Sequence, residues 1–429
     1  MKLFKHQIDT INEFKGRKRV AAYLDMGLGK TYVGSEYDKE LNEPYTLVIC
    51  QKSKVNDWLE HYKSNYDFDV FDLTNKKEFV EFIKSSEKRS VGIINYDLVF
   101  RRTELTTFLN LVRFTLMLDE SSCIQNENAK RSKFILKRLY PRNVILLSGT
   151  PTSGRYERLW SQCQLLGWDI SKRLFYDQYV IEAPITGWNG RPILTPSGYP
   201  IKHVVGYKNV DRLKAKLREH GAVFMKSDEV LTLPEQNFID IKVDTDMQYR
   251  KFMRSGVVDV ADKTLVGDTT LTKLLYARML CGHYNKDKLQ AFEDLVESTN
   301  DRLIVFYNFN DELSALKEIA KRCDRPISIV NGEKKDLSNY ENCDDSLTLI
   351  QYQAGSMGLN LQKANKIIYF TPTLSSELFE QSKKRIHRIG QNHPCFYYLL
   401  TCGVEHKIYD TLKMRKDYTD YLFKNDFLS

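Results

Sequence analysis

Residues 24–31, Leu24-Asp25-Met26-Gly27-Leu28-Gly29-Lys30-Thr31, constrain this chain more than any other stretch. They follow an apolar run, Val20-Ala21-Ala22-Tyr23-Leu24, that reads as a buried strand. They precede Tyr32 to Leu41, which has helical character and few breakers. Strand, glycine loop and Lys-Thr at a helix start make the setting that a nucleotide phosphate requires, because loop N–H groups and the positive end of a helix converge there. Gly27 and Gly29 let the backbone curl so that its N–H groups turn inward on an anion. Lys30 can neutralise β- and γ-phosphates, and the Thr31 hydroxyl can ligate Mg²⁺. A full phosphate loop has glycine where this chain has Leu24, so the octamer alone also fits an ordinary strand-to-helix turn.

The remaining motifs decide between these readings, and they sit in an alternating pattern. Strand-like apolar runs are expected at Arg19–Leu24, Thr46–Cys50, Val91–Asn95, Phe114–Leu118 and Asn143–Leu147. Helix-like stretches fall between them, at Lys54–Lys63, Lys76–Ser85 and Ala129–Leu139. Such alternation predicts an α/β unit with a mostly parallel sheet, and in such sheets ligands sit at the carboxyl ends of the strands. Beyond Pro151 the rhythm breaks. Asn189-Gly190 and Pro196-Ser197-Gly198-Tyr199-Pro200 are hairpin and turn signals, so a small insertion is expected here instead of a continued sheet. Thr232-Leu233-Pro234-Glu235 reads as a linker, and helix-rich sequence is expected from Asp246 to about Thr299. A second alternating set follows, with strands at Leu303–Tyr307, Pro326–Val330, Leu347–Tyr352, Lys366–Phe370 and Phe396–Leu400, and helices at Asp311–Arg322 and Ser375–Arg388. The expected division is 1–164 for the first domain, 165–232 for an insertion and linker belonging to it, and 233–429 for the second. Two such units suggest a nucleotide engine with a cleft between them.

Phe114-Thr115-Leu116-Met117-Leu118-Asp119-Glu120 is an apolar strand that delivers two carboxylates at its end. Asp119 is suited to hold Mg²⁺, and Glu120 to orient and deprotonate an attacking water. The next strand ends in Leu147-Ser148-Gly149-Thr150-Pro151, whose small hydroxyl residues can pass a hydrogen-bond change to a neighbouring surface; a plain turn has the same composition. In the second half, Ala354-Gly355-Ser356-Met357-Gly358-Leu359 is a glycine loop after a strand, fit for close approach to a phosphate backbone or for a turn. Glu380-Gln381-Ser382-Lys383-Lys384-Arg385-Ile386-His387-Arg388 then places Gln381, Arg385 and Arg388 at i, i+4 and i+7, one face of a continuous helix. Two guanidinium groups there form an anion clamp with a geometry lysine does not match.

In this order the set resembles helicase superfamily two, and within it the Swi/Snf-type DNA translocases. The specific stretches are Asp25-Met26-Gly27-Leu28-Gly29-Lys30-Thr31, Leu47-Val48-Ile49-Cys50-Gln51-Lys52-Ser53 followed by Trp58, Met225-Lys226-Ser227 with Leu233-Pro234, and Arg385-Ile386-His387-Arg388-Ile389-Gly390-Gln391. The resemblance runs from about Leu3 to Leu412. It implies two RecA-like parallel-sheet domains, ATP and Mg²⁺ as cofactors, and DNA-dependent ATP hydrolysis coupled to movement along double-stranded DNA. By position, it assigns Gln7 to the adenine, with Gly27, Gly29, Lys30, Thr31 and Gln381 also on the nucleotide. Thr31 and Asp119 take the metal, Lys30, Asp119, Glu120, Arg385 and Arg388 the catalysis. Lys52, Ser53, Asn95, Tyr96, Thr150, Ser356 and Gly358 would face the DNA backbone. Ser121-Ser122 replace the usual Ala-His after Asp-Glu, which bears on how hydrolysis couples to DNA movement.

Composition agrees with a soluble engine of this class. Lys plus Arg number 64 against 56 Asp plus Glu, a net +8 that permits a polyanionic partner without demanding one. The densest basic run, Lys15-Gly16-Arg17-Lys18-Arg19, reads as a solvated loop as readily as a binding patch. Eight scattered cysteines without a Cys-x-x-Cys pair point to reduced thiols. No apolar run reaches the roughly 18 residues of a membrane span, and the start lacks a signal-peptide core, so a cytoplasmic protein is expected. From the size of the chain, a compact monomeric motor of a bacterial or phage-infected cell is expected. A strand-separating helicase and a nucleotide-gated DNA clamp with little turnover are the competing expectations.

Overall fold

Strands whose every side chain is buried centre each half of the chain, with Leu303–Tyr307 the example in the second half and two further runs in the first. Thr46-Leu47-Val48-Ile49-Cys50 and Asn143-Val144-Ile145-Leu146-Leu147 show no exposed position, the burial of strands covered on both faces, which favours a parallel sheet. The computed structural model describes residues 3–85, 88–149, 151–152, 155–185, 191–230, 233–261, 263–355, 359–414 and 426. It forms two units, Met1–Val230 and Leu231–Ser429.

In the first unit the strands are β1 (Arg19–Leu24), β2 (Tyr45–Cys50), β3 (Asp69–Asp72), β4 (Ser90–Asn95), β5 (Phe114–Asp119), β6 (Asn143–Leu147), β7 (Val180–Pro184), β8 (Lys202–Tyr207) and β9 (Ala222–Met225). Seven of them make one sheet, ordered β3-β4-β2-β5-β6-β1-β9, with every neighbouring pair parallel. All seven carboxyl ends therefore open on one edge of the sheet. The edge strand β3 escapes a reading by apolar runs because Asp69-Val70-Phe71-Asp72 is only half-buried.

The insertion expected over 165–232 is narrower in the structure. The helices Lys172–Tyr179 and Val210–Glu219 bury Phe175, Tyr179, Leu213 and Leu217 in the core of the first unit. Ala222–Met225 then returns to the main sheet beside β1. Among the described residues, the antiparallel ribbon of β7 and β8 forms a sheet of its own, extended by backbone bonds from Ile185 to Ile201 and from Ile193 to Ile185. Asn189-Gly190 lies outside the described residues.

The second unit contains β10 (Gln236–Lys242), β11 (Val257–Val260), β12 (Lys263–Val266), β13 (Leu303–Tyr307), β14 (Ile327–Val330), β15 (Lys335–Asp336), β16 (Leu347–Gln351), β17 (Lys366–Tyr369) and β18 (Cys395–Thr401). Its sheet runs β10-β18-β17-β13-β16-β14-β15, and only the β14–β15 pair is antiparallel. The helix-rich stretch after Asp246 is interrupted by a β11–β12 hairpin whose Val258, Val260 and Leu265 are buried. Among the described residues, no helix is long and apolar enough to cross a membrane.

Candidate active site

In the first sheet β5, β6 and β1 are consecutive neighbours, so the segments leaving their carboxyl ends lie side by side. Those segments are Asp119-Glu120, Ser148-Gly149 and the loop 25–29. The loop is shaped by Gly27 and Gly29, at φ of 88° and 74°, a region L side chains enter at a cost. A Cβ on Gly29 would lie 2.1 Å from Gln7 Nε2, so Gln7 can sit on the loop only because residue 29 is glycine. Gln7 Nε2 donates to the Leu28 carbonyl at 3.1 Å, and its Oε1 accepts from the Phe4 N–H at 2.9 Å. Lys30 opens the helix Lys30–Leu41, and its Nζ donates to the Leu24 carbonyl at 3.1 Å. Thr31 lies in the first helical turn, where N–H groups lack intrahelical partners. Gly149 backs the loop from β6: a Cβ there would meet Lys30 Nζ at 3.2 Å and Met26 Cγ at 3.3 Å.

Asp119 ends β5, and its Oδ2 accepts from Trp58 Nε1 at 2.8 Å. Its carbonyl accepts from Tyr96 OH at 2.9 Å. Strict alternation would send the next side chain to the opposite face of the sheet. Glu120 instead leaves the strand in the left-handed region, φ 50° and ψ 63°, a conformation that costs a non-glycine residue about 1–3 kcal/mol and clusters at functional sites. The turn redirects Glu120 toward β6, and Ser148 Oγ stands 3.4 Å from its Oε2. A glycine-lined loop with a lysine, a hydroxyl in a first helical turn and a carboxylate on the same sheet edge is a donor set that fits a polyphosphate and a hard divalent cation.

Of the residues expected on nucleic acid, Lys52 is exposed and Ser53 half-buried in the short turn Lys52–Lys54 after β2. Asn95 and Tyr96 are instead buried, at 8% and 3% exposure. The Tyr96 ring belongs to the core and its hydroxyl donates to the Asp119 carbonyl, so Tyr96 supports the backbone that carries the carboxylates. Thr150, Ser356 and Gly358 lie outside the described residues.

The continuous helix expected through Arg388 ends at Lys383, five residues early. The Arg385 carbonyl accepts from the Leu361 N–H at 3.1 Å, and Ile386 turns fully inward. Gln391 Nε2 then donates to the Ala364 carbonyl at 2.8 Å and the Gln362 carbonyl at 3.3 Å, which ties the following turn to the strand-facing loop. Gln381 is therefore helical, whereas Arg385 and Arg388 lie in the turns beyond. Arg385 is 4% exposed, and Arg388 donates through Nη1 to Asn360 Oδ1. Gln381 Nε2 donates to Glu377 Oε1 at 3.2 Å, while its buried Oε1 has no hydrogen-bond partner among the described residues.

Three residues around the site carry no local sequence signal for these roles. Trp58 holds the Asp119 carboxylate. Ser227 donates through both N–H and Oγ to Asp25 Oδ2, at 3.1 and 3.2 Å, fastening the loop to the last residues of the first unit. Gln162, fully buried, accepts from Ser121 Oγ at 2.7 Å and Tyr23 OH at 2.9 Å.

The chain is similar to YwqA of Bacillus subtilis, 23% identical over 94% of this chain and 46% of that protein. It is similar to the ISWI chromatin-remodeling complex ATPase ISW1 of Saccharomyces cerevisiae, 24% identical over 96% of this chain and 40% of that protein. It thus spans less than half the length of both. A solved SWI2/SNF2 ATPase core from Sulfolobus solfataricus, in complex with double-stranded DNA, is 20% identical over 99% of this chain with a TM-score of 0.44. The helicase conserved C-terminal domain model matches residues 287–390, and the SNF2-related domain model matches residues 22–287. With more than half of its length inside that second match, the chain belongs to the SNF2-related family.

Proposed function

We propose that the chain is an ATP-driven motor that travels along double-stranded DNA, hydrolysing ATP at the carboxyl edge of its first sheet. The observation that carries this reading is the adjacency of the Lys30 loop and the Asp119-Glu120 pair, one strand apart on one parallel edge, in a chain of the SNF2-related family. The loop amides and Lys30 bind the β- and γ-phosphates, and Gln7, seated on the loop, reads the adenine. Thr31 and Asp119 hold Mg²⁺, which when bound draws charge from the phosphate oxygens. Trp58 keeps the Asp119 carboxylate in one orientation. Glu120 accepts the proton of the attacking water. Arg385 and Arg388, from the second unit, neutralise charge on the γ-phosphoryl group, a contribution of roughly 10³- to 10⁵-fold in rate. The names of the relatives, a helicase/translocase for YwqA and a chromatin-remodelling ATPase for ISW1, support movement on DNA as the use of that energy. Of the described residues expected on nucleic acid, Lys52 and Ser53, just after β2 on the same edge, are less buried than Asn95 and Tyr96 and would meet a phosphate backbone.

Displacement of a third strand from a triplex tests movement without strand separation. ATP-dependent displacement, blocked in Lys30→Ala and absent when a forked duplex is offered for unwinding, is the expected pattern. Unwinding of the fork without triplex displacement would favour a strand-separating helicase.

A further inference from the structure

The ribbon of β7 and β8 presents an apolar surface that the ATP site does not use. Directly paired residues share a face, and Ala183 pairs with His203. Alternation then puts Ile181, Ala183 and Ile185 on one face with Ile201 and His203 of the partner strand. A Cβ on Gly206 would meet Ile181 Cδ1 at 3.7 Å, so the glycine opposite Ile181 leaves that isoleucine uncovered. Beyond the ladder, three backbone bonds close a ring. The Ile185 N–H donates to the Ile201 carbonyl, the Ile201 N–H to the Ile193 carbonyl and the Ile193 N–H to the Ile185 carbonyl, each at 2.8 Å. Three isoleucines are thereby locked into one tip, each 36–44% exposed. Leu194 and the still more exposed Tyr199 stand beside them. Their turn is closed by the Thr195 N–H on the Tyr199 carbonyl at 2.7 Å and the Gly198 N–H on the Thr195 carbonyl at 2.9 Å. A two-stranded ribbon has no core of its own in which to bury such groups, and apolar side chains gathered on a surface mark a place where something binds.

The charge of this arm and the place of its root point to the occupant. Over residues 180–208 Glu182 is the one acid, against Arg191, Lys202 and Lys208. Lys202 pairs with Pro184, on the face opposite the isoleucines, so an apolar tip is flanked by cationic charge. At the root, Tyr207 OH donates to Glu157 Oε2 at 2.6 Å and the Tyr207 ring packs edge-on against Tyr156. The turn that holds them, Tyr156–Leu159, is tied by Arg158 Nη1 to Gln125 Oε1 at 3.1 Å, and Gln125 closes the short turn that leaves β5. The arm therefore springs from the carboxyl side of the first sheet, the side that bears the Lys30 loop and Lys52. A major groove about 12 Å wide admits a two-stranded ribbon, and apolar side chains there meet thymine methyl groups while cations meet phosphates. We propose that the β7–β8 ribbon is a DNA-binding arm that lies in the major groove of the duplex on which the motor acts, its isoleucine tip against base edges and Lys202 and Lys208 on the flanking phosphates. The proposal rests on the functional reading above and adds to it a contact outside the sheet edge. No residue of the arm belongs to the ATP site, so the arm contributes grip on DNA and leaves the chemical step in place.

The experiment uses the full chain carrying Ile193→Glu or Lys202→Ala, with Leu111→Glu, an exposed apolar position just before β5, as the control. Duplex affinity is measured by anisotropy across a salt series, alongside basal and duplex-stimulated ATPase and thermal unfolding. Ile193→Glu is expected to weaken duplex binding roughly 5-fold or more, the usual loss when an interface anchor is removed. Lys202→Ala is expected to reduce the slope of log affinity against log salt by about 1. Basal ATPase and Tm stay near wild type in both, and Leu111→Glu binds duplex as wild type does. In parallel, benzoylphenylalanine in place of Tyr199 is irradiated with purified protein and duplex DNA, and a protein–DNA adduct is expected. Should either variant fail to fold, this adduct still decides. Unchanged duplex affinity in both variants, losses no larger than that of Leu111→Glu, or crosslinks between copies of the chain without any to DNA would each overturn the arm. A wild type that neither binds duplex nor is stimulated by it would overturn the functional reading and the arm together; a stimulated wild type with unaffected variants and no adduct overturns the arm alone.

Discussion

The indole Nε1 of Trp58 donates to Oδ2 of Asp119 at 2.8 Å, from a helix 61 residues earlier in the chain. Trp58 is 2% exposed, so the donor is fixed by the packing of the whole ring. A carboxylate meant to meet a metal from one rotamer gains from such a partner, and loss of an outer partner of this kind costs roughly 10- to 100-fold in metal affinity.

Trp58→Phe retains an aromatic ring and removes the donor. The expected outcome is a rise of about 10-fold or more in the Mg²⁺ concentration that supports half-maximal ATPase, with ATP saturating. A drop in thermal stability with an unchanged Mg²⁺ titration would assign Trp58 to packing alone.

Gly29→Ala places a methyl group 2.1 Å from Gln7 Nε2 at a φ of 74°. The left-handed backbone alone costs a non-glycine residue about 1–2 kcal/mol. Nucleotide binding is expected to weaken and thermal stability to fall. In Gly29→Ala with Gln7→Ala the clash disappears, so the double variant should lose less stability than the sum of the two single losses. Strict additivity, read by denaturant unfolding, would show that Gln7 does not press on the loop.

Arg385 and Arg388 occupy different local structures, one buried and one bonded to Asn360. If both act on the γ-phosphoryl group, Arg385→Lys and Arg388→Lys each reduce kcat by roughly 10³-fold or more while ATP binding changes far less. A rise in KM with kcat preserved, measured in steady state, would place the residue in binding alone.

Far along the chain from the phosphate loop, Lys288 and Glu405 form an ion pair with no side-chain exposure. Burial pushes the Glu405 carboxyl up from its usual 4.5 to about 7, with the Lys288 ammonium opposing the rise. A folded-state acid held above its unfolded value binds its proton more tightly when folded. Its stabilising contribution is thus present below pH 4.5 and lost as pH climbs through about 7. Lys288→Met alone should destabilise by about 3–5 kcal/mol at neutral pH, because a buried carboxylate loses its partner. Lys288→Met with Glu405→Gln, which retains an acceptor for the Cys402 N–H, should recover most of that loss and flatten the pH dependence of Tm over this window. A wild-type Tm parallel to that of the double variant across this range would contradict the assignment.

What the sequence reveals of this molecule depends on the range of the contact involved. Lys30, Asp119 and Glu120 are legible because a glycine loop or a charged pair closing a wholly apolar strand is costly to place there without a ligand to meet. The central strands are legible for the related reason that parallel strands buried on both faces are continuous apolar runs. The edge strands, β3 half-buried and β10 mostly exposed, are mixed in composition and lack that signature. The helix stops short of Arg388 because spacing shows periodicity and not the Leu361 N–H that takes the Arg385 carbonyl or the amide of Gln391 that gathers the following turn. Ser227 on Asp25 and Gln162 on Tyr23 join residues 202 and 139 positions apart, and no local pattern encodes such pairs. Nor does alternation foresee the left-handed Glu120, whose conformation is imposed by what surrounds it.

Steady-state ATPase with no nucleic acid, single-stranded DNA, duplex DNA and RNA, each beside Glu120→Gln, reads the proposed motor in one experiment. Turnover raised strongly by duplex DNA, and reduced to background by Glu120→Gln under every condition, is the expected result. A rate that no nucleic acid changes, equal to that of Glu120→Gln, would contradict a DNA-driven ATPase and leave a nucleotide-gated clamp in its place.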